Sequence, residues 1–272
     1  MSEFCFDGDL YLQRLGLVGK VKVNAEWLEK IHRAQHRSIA FENFDIALGR
    51  GINLNPENLF NKLVKKPRGG YCNELNQLIR MALQHFGFEV KPLLCRVHIT
   101  GKTTARGHQV NLVTINDLQY IVDVGMGMQT PSTPLPLVYD HEIKANHQQF
   151  KFIKHELFGT MLQVMINNQW RDLYSSNMGY VCDADIECAD FFTSNNPKAF
   201  FVFARVASLP TDECMLTLFN TTLTKHFPDR KEQIEIEEGQ TYIDAMKEYF
   251  KIELDAQYED FKPLGNDKSK HF

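Results

Sequence analysis

The chain has 272 residues, of which 30 are basic and 34 acidic, so its net charge at neutral pH is −4. Hydrophobic residues make up 43% and charged residues 24%, a composition that excludes collagen-like and disordered chains. The negative balance argues against general nucleic-acid binding, which needs a positive field. No run approaches the roughly 18 apolar residues that span a bilayer, and the acidic start of the chain lacks the basic region of a signal peptide. We therefore expect a cytoplasmic protein with neither nucleic-acid nor membrane partners.

Six cysteines are too few for a disulfide framework, and no two have the C-x2-C spacing of a zinc site. We predict reduced, mostly buried thiols and no bound metal. A single reactive cysteine is compatible with this composition, and its neighbours must identify it. The six are Cys5, Cys72, Cys95, Cys182, Cys188 and Cys214.

The first third of the chain is predicted to be helical. Apolar residues at helical spacing follow Asn24, which is a suitable N-cap residue. A second helix begins at Pro56 and ends before Pro67, because the residue before a proline disfavours the helical conformation. A third helix begins at Cys72, directly after a glycine-rich turn, and ends at Gly87.

From about residue 93 the pattern changes to that of strands. Two segments, 108–115 and 118–124, flank the turn signal Asn116-Asp117 and predict an antiparallel hairpin. Helices followed by strands and then by mixed elements indicate an α+β fold, with lobe boundaries near residues 87 and 190. The other predicted elements are strands at 93–99, 151–153, 162–166, 200–206 and 215–224, loops at 131–136 and 193–197, and helices at 183–192 and 241–250.

Cys72 follows two glycines and stands at the predicted start of the third helix. Unpaired N–H groups and the positive end of the helix dipole favour an anion there, and therefore the thiolate form of Cys72. The alternative is a small apolar residue that closes a buried stripe with Leu75 and Ile79. For the cysteine taken alone, that alternative is the better supported, because most buried cysteines are unreactive.

The predicted hairpin brings His108 and Asp123 together. If its turn has two residues, or four, the two lie diagonally on one face of the sheet, whereas an odd-length loop would put them on opposite faces. Beside a reactive cysteine, the pair predicts acyl transfer: Cys72 attacks, His108 moves protons and Asp123 orients the imidazole. Each also has an ordinary alternative, His108 as a surface residue near Arg106 and Asp123 as a hydrogen-bond acceptor at a strand end.

Four segments resemble motifs of the arylamine N-acetyltransferases. Residues 68–76, RGGYCNELN, are similar to the active-site motif R-G-G-Y-C-F-E-x-N of that family. Residues 40–45, AFENFD, resemble its P-F-E-N-L-D segment, and residues 120–127, YIVDVGMG, its Y-(I/L)-V-D-V-G-F-G strand. Residues 192–197, FTSNNP, are similar to its S-T-(H/N)-P loop. The segments occur in the family's order.

The resemblance implies a three-lobed fold with a core like that of cysteine proteases and transglutaminases. A helical bundle would span residues 1–87, a small antiparallel β-barrel 88–190, and an α/β lid 191–272. It also implies a catalytic triad of Cys72, His108 and Asp123. Family members transfer acetyl from acetyl-coenzyme A to arylamines, arylhydrazines or arylhydroxylamines, by ping-pong kinetics through an acetyl-cysteine and without a metal.

The glycine-bracketed turn Gly125-Met126-Gly127 lies near the cofactor in such proteins. The N–H groups of Gly125 and Gly127 are therefore candidates for binding coenzyme A. Without the resemblance, the turn would indicate only the end of a strand. Met126 occupies the position where the family commonly has a phenylalanine that lines the acceptor pocket. Phe201 is a second candidate for a wall of that pocket, and an ordinary role in core packing is equally compatible with its position. Asn73 is a further departure, since the family usually has phenylalanine there.

Two other functions are compatible with the same residues. A cysteine hydrolase or a transglutaminase-like enzyme would use the same triad but admit water or a peptide to the acyl-enzyme. A non-catalytic protein that binds coenzyme A or another small molecule would have no need of nucleophile, base and orienting carboxylate together. The segment 68–76 favours the transferase, by resemblance.

Overall fold

The structure is a computed structural model and describes residues 4–264. Residues 1–3 and 265–272, which the first and third predicted lobes include, lie outside the described residues. The helices are α1 Gly8–Arg14, α2 Ala25–Ser38, α3 Phe44–Ala47, α4 Pro56–Leu63, α5 Cys72–His85, α6 Asp183–Asn195, α7 Phe200–Phe203 and α8 Gln240–Phe250. The strands are β1 Phe41–Glu42, β2 Glu89–Val97, β3 Arg106–Ile115, β4 Leu118–Val122, β5 Leu135–Pro136, β6 Glu142–Ala145, β7 Gln148–His155, β8 Gly159–Ile166, β9 Gln169–Ser176, β10 Val206–Pro210, β11 Met215–Phe219, β12 Thr222–His226 and β13 Lys231–Glu235.

Two antiparallel sheets organise these elements and confirm the α+β class. The larger sheet has the order β5-β4-β3-β2-β9-β8-β7-β6, and its two edge strands approach each other, so that it is barrel-like and nearly closed. The smaller sheet has the order β1-β10-β11-β12-β13, and α8 packs on its apolar face. Apart from the two sheets, a cluster of buried apolar side chains joins α1, α2, α4 and α5 to β3 and β4. In the described part of the chain, no helix is both long and apolar enough to cross a membrane.

The three predicted N-terminal helices are confirmed, and local capping explains where they begin. The Asn24 side chain accepts a hydrogen bond from the Trp27 N–H at the start of α2. Asn55 does the same for α4, which has proline as its first residue. At the start of α5, the Glu74 carboxylate accepts the Tyr71 N–H at 3.1 Å. Cys72 is therefore the first residue of α5, as predicted.

The hairpin between β3 and β4 has the predicted register. Asn116 and Asp117 adopt positive φ angles of 48° and 64°, as a two-residue turn with a left-handed backbone requires. Ile115 pairs with Leu118, and the pairing continues to Asn111 and Val122. Side chains two residues apart along a strand share a face, so this register directs the side chains of His108 and Asp123 to the same side.

Several predictions beyond residue 130 are wrong. The predicted loop 193–197 begins as helix, because α6 continues to Asn195 and the Asn196 N–H still donates to the Phe192 carbonyl group at 3.1 Å. The predicted strand 200–206 is the short helix α7 followed by the start of β10. The Asn43 amide stabilises this turn by donating to the carbonyl groups of Phe201 and Ala204. The predicted loop 131–136 ends in the short strand β5, and the segment 215–224 forms two strands.

The segment before Cys72 is tied to β1. The Glu42 N–H donates to the Gly70 carbonyl and the Gly70 N–H donates to the Ala40 carbonyl, at 2.9 and 3.1 Å. Gly69 permits this close approach, since a Cβ there would lie 2.3 Å from the Ala40 carbonyl oxygen. β1 also pairs with β10, so the backbone that leads into Cys72 is part of the hydrogen-bonded edge of the smaller sheet.

Buried ion pairs fix the same segment from its other side. The Arg68 guanidinium lies 2.8 Å from the Glu42 carboxylate and 2.9 Å from that of Asp45. Lys62 pairs with Asp45 and with Glu74, at 2.7 and 2.8 Å. Arg68 and Glu42 are both buried, and a buried charge is costly without a partner. The network therefore fixes the backbone of residues 68–71 relative to α3, α4 and α5.

Candidate active site

Cys72 is buried at the N-terminal end of α5, with 4% of its surface exposed. Its Sγ lies 3.7 Å from the Asn73 Oδ1. The backbone of Gly125 packs directly against it, because a Cβ at that position would lie 2.8 Å from the Cys72 Cα. Position 125, three residues after the end of β4, must therefore be glycine for the chain to approach the helix this closely.

His108 and Asp123 form a buried, hydrogen-bonded pair. The His108 Nε2 lies 2.7 Å from the Asp123 Oδ2, and neither residue exposes more than 4% of its surface. Because Nε2 donates to the carboxylate, Nδ1 is the ring nitrogen left for proton transfer. The structure thus brings together the three residues that the sequence predicts.

The Asp123 carboxylate accepts two further hydrogen bonds besides that from His108. Its Oδ1 accepts from the Asn76 side chain and from the Gly125 N–H, both at 2.9 Å. The Asp123 carbonyl accepts from the His32 Nε2 at 3.1 Å. Helices α2 and α5 and both strands of the hairpin therefore converge on one residue. Its position and its charge are fixed by groups from four elements.

The electrostatics of the pair favour an imidazolium. Burial alone would lower the pKa of His108, but the Asp123 charge, the hydrogen bond to it and the contact with Cys72 outweigh burial and raise the pKa to about 10. Burial would raise the pKa of Asp123, whereas the His108 charge and the hydrogen bonds from His108, Asn76 and Gly125 hold it below its ordinary value. At neutral pH the arrangement therefore pairs a protonated imidazole with an ionised carboxylate.

The sequence motifs predict no role for several side chains that complete this site. Asn76 lies four residues after Cys72 on the same helix face, and that spacing was a usable signal. His32 comes from α2, and burial lowers its pKa to about 4, so it is neutral beside Asp123. The Tyr174 ring lies 5.4 Å from the His108 ring, and burial raises the pKa of its hydroxyl well above the ordinary value. Nothing in the sequence around Tyr174 predicts this contact.

The other predicted site residues lie in different surroundings, and of these Phe201 contacts Cys72. Phe201 packs against Tyr71 and Cys72, with its ring edge-on to that of Tyr71 at 5.8 Å. Met126 is half-buried against the core of the larger sheet. Gly127 has a φ angle of 60° and begins a 3₁₀ turn, Gly127–Gln129. Within residues 4–264, no group of three or more His, Cys, Asp or Glu side chains is arranged to hold a metal ion.

Comparison with known proteins decides the family. The model of the N-acetyltransferase family matches residues 24–258. The chain is 32% identical to the arylamine N-acetyltransferase of Mycolicibacterium smegmatis over 251 aligned residues. The alignment covers 90% of this chain and 91% of that protein. The chain belongs to the arylamine N-acetyltransferase family.

Other members of the arylamine N-acetyltransferase family agree with this assignment. A Salmonella typhimurium protein, described as an arylamine N-acetyltransferase / N-hydroxyarylamine O-acetyltransferase, is 31% identical over 246 residues and covers 89% of this chain and 85% of its own. The structure of Mycobacterium marinum arylamine N-acetyltransferase in complex with CoA superimposes with a TM-score of 0.85 at 30% identity. It covers 90% of this chain and 93% of the other. The resemblance stated from the sequence motifs is therefore confirmed.

A further buried carboxyl group lies behind Tyr71, on α6. The Tyr71 hydroxyl donates a hydrogen bond to Asp190. Burial raises the pKa of Asp190 to about 7, although the charge of Lys62 acts in the opposite direction. Asp190 is 7% exposed, so its ionisation is coupled to folding.

We predict that Asp190→Asn changes how stability depends on pH. The pKa of Asp190 is raised in the folded state, so its contribution to the free energy of unfolding is complete below about pH 4. As the pH rises to about 7, the free energy of unfolding of the wild type falls by up to about 1.4 kcal/mol per pH unit. The variant should lack this loss, and its stability relative to the wild type should increase from pH 4 to pH 7. Urea denaturation at several pH values measures the difference.

Asp185→Asn is the matched control on the same helix, because hydrogen bonds from Cys182 lower the pKa of Asp185. It should show no such gain between pH 4 and pH 7. A constant stability difference between Asp190→Asn and the wild type over this range would contradict the raised pKa.

Proposed function

We propose that the protein transfers acetyl from acetyl-coenzyme A to arylamines, arylhydrazines or arylhydroxylamines, by a ping-pong reaction through acetyl-Cys72. One observation carries the proposal: a buried imidazole, fixed by an ionised carboxylate, lies beside a buried cysteine at a helix start. The family assignment and the coenzyme A complex of the Mycobacterium marinum relative support the choice of donor.

In the first half-reaction the Cys72 thiolate attacks the acetyl carbonyl carbon of the donor. A new C–S bond forms, the C–S bond to coenzyme A breaks, and His108 supplies the proton to the departing coenzyme A thiolate. Asp123 stabilises the imidazolium before this transfer and fixes the tautomer after it. The helix dipole at the start of α5 favours the negative charge on sulfur.

In the second half-reaction the acceptor amine attacks the carbonyl carbon of acetyl-Cys72. The C–N bond forms, the C–S bond breaks, and His108 takes the proton that the amine loses. The Cys72 thiolate and the His108 imidazolium are then restored, so no proton or electron pair is left over. The deep burial of Cys72 restricts access of water to the acyl-enzyme, which favours transfer to an amine over hydrolysis.

We assign donor and acceptor contacts to residues beside Cys72. The N–H of Gly127, at the start of a 3₁₀ turn, is proposed to contact the donor. Gly125 allows the turn Gly125-Met126-Gly127 to approach Cys72, but its own N–H donates to the Asp123 carboxylate. Met126 and Phe201 are proposed as walls of the acceptor pocket. We also propose the three lobes 1–87, 88–190 and 191–272, with a core like that of cysteine proteases.

We predict that Cys72→Ala abolishes acetyl transfer and retains the fold, because it removes one sulfur atom at the end of an apolar stripe. Turnover of a chromogenic arylamine with acetyl-coenzyme A, and the mass of the protein after incubation with the donor alone, measure the effect. Cys188→Ala, which alters an exposed thiol, is the control and should behave like the wild type. Acetyl transfer by the Cys72 variant, or its loss in the control, would refute the assignment.

We predict that Asp123→Asn reduces turnover by up to about 10⁴-fold, the loss seen for the same change in serine triads. The asparagine carbonyl can still accept from Asn76 and Gly125, but its amide then donates to the His108 Nε2 and forces the wrong tautomer. Steady-state kinetics measure the loss. Asp140→Asn, at an exposed position with a positive φ angle that asparagine tolerates, is the control. Activity of Asp123→Asn within a few-fold of the wild type would show that the carboxylate has no catalytic role.

We predict that Met126→Phe changes the ranking of acceptors and affects acetylation of Cys72 much less. Phenylalanine offers a flat, rigid wall for an aromatic amine, whereas methionine adapts to different rings. The acetylation rate with the donor alone, and the discharge rate for a panel of arylamines and hydrazines, separate the two effects. Slower acetylation with an unchanged ranking would place Met126 at the donor site.

A further inference from the structure

Asn73 is a fully buried polar residue next to the nucleophile, and the proposed reaction does not use it. Its Oδ1 lies 3.7 Å from the Cys72 Sγ and accepts the Gln109 N–H at 3.2 Å. Its Nδ2 donates to the Tyr71 hydroxyl at 3.2 Å. The family motif usually has a phenylalanine here, which could form none of these bonds.

The hydrogen-bond network fixes which end of the amide faces Cys72. The Gln109 N–H can only donate, so the atom that faces it must be the oxygen of Asn73. At the other end, the Tyr71 hydroxyl donates to Asp190 and is free to accept from the Asn73 amide nitrogen. Turning the amide over would place two donors against each other at Gln109. The oxygen therefore faces the sulfur.

An amide oxygen at this place discriminates between the two forms of the cysteine. A thiol can donate its S–H to Oδ1, whereas a thiolate gains nothing from an acceptor and is repelled by its partial negative charge. Asn73 thus opposes the helix dipole and the His108 imidazolium, both of which favour the thiolate. We propose that Asn73 is a positioning residue that stabilises the thiol form of Cys72 and so sets the pH range in which the cysteine is reactive.

The proposal rests on Cys72 being the nucleophile, and it adds a residue that regulates its protonation. The titratable groups that contact Cys72, Asn73 or their direct partners are Tyr71, His108, Asp123, Tyr174 and Asp190. Substitutions at Asn73 leave all of them in place.

The test is the pH dependence of Cys72 alkylation by iodoacetamide, followed by peptide mass mapping without any acetyl donor. Asn73→Leu removes the acceptor at similar size, and its alkylation midpoint should move to lower pH by about one unit, the equivalent of one hydrogen bond. Asn73→Asp keeps an acceptor and adds a negative charge, so its midpoint should move to higher pH. Tyr71→Phe removes one anchor of the amide and should shift the midpoint in the direction of Asn73→Leu, by less.

Gln77→Leu is the matched control, since it removes another buried amide from α5 that bonds to the Gln109 side chain and not to Cys72. Its midpoint should equal that of the wild type. A merely structural role for Asn73 would lower the melting temperature of both Asn73 variants without moving their midpoints in opposite directions. If Asn73→Leu does not fold, Asn73→Asp decides: an unchanged midpoint there, or coincident profiles for all variants, overturns the proposal.

Because alkylation needs no donor or acceptor, the result separates this proposal from the proposed reaction. If the two Asn73 variants shift in opposite directions but the wild-type protein shows no acetyl transfer, the positioning role is supported and the proposed reaction is rejected. If all profiles coincide while the wild-type protein transfers acetyl, the proposed reaction is supported and the positioning role is rejected.

Discussion

The site depends on one buried negative charge. Asp123 is completely enclosed, and a carboxylate without solvent is stable only if hydrogen bonds and a nearby cation replace the water it has lost. Here Asn76, Gly125 and His108 do so, and each comes from a different place in the chain. The requirement to satisfy this charge therefore orients α5 relative to the hairpin, and the same contacts that stabilise the carboxylate align the imidazole with Cys72.

A second set of buried charges acts on the backbone in front of Cys72. Arg68 and Lys62 lie among three carboxylates and fix the segment that enters α5. The two sets act on different parts of the site: this one fixes the helix start at Cys72, and the contacts of Asp123 fix His108. The acyl transfer proposed for Cys72 and His108 needs both, since such a reaction is sensitive to small displacements of the reacting atoms.

Features that depend on neighbouring residues are predictable from this sequence. The helix start at Cys72 and the turn at Asn116-Asp117 rest on local capping and turn chemistry, and the hairpin register then aligns His108 with Asp123. The aromatic run 200–203 misleads, because composition favours a strand while an amide far away in the sequence stabilises a helical turn. The partners His32 and Tyr174 are likewise fixed by tertiary packing. The roles of the seven predicted site residues stay predictions.

The pairing of β1 with β10 bears on how the protein is made. Asn43 and Val206 are 163 positions apart, yet the Asn43 side chain accepts the Val206 N–H. During synthesis Cys72, His108 and Asp123 all leave the ribosome before β10 exists, and the backbone edge of β1 then has no strand to pair with. An unpaired strand edge is a template for association with other chains, and contacts between distant residues form slowly. Until β10 leaves the ribosome, the edge of β1 that will face it therefore has no strand partner, so closure of the smaller sheet is a late step of folding.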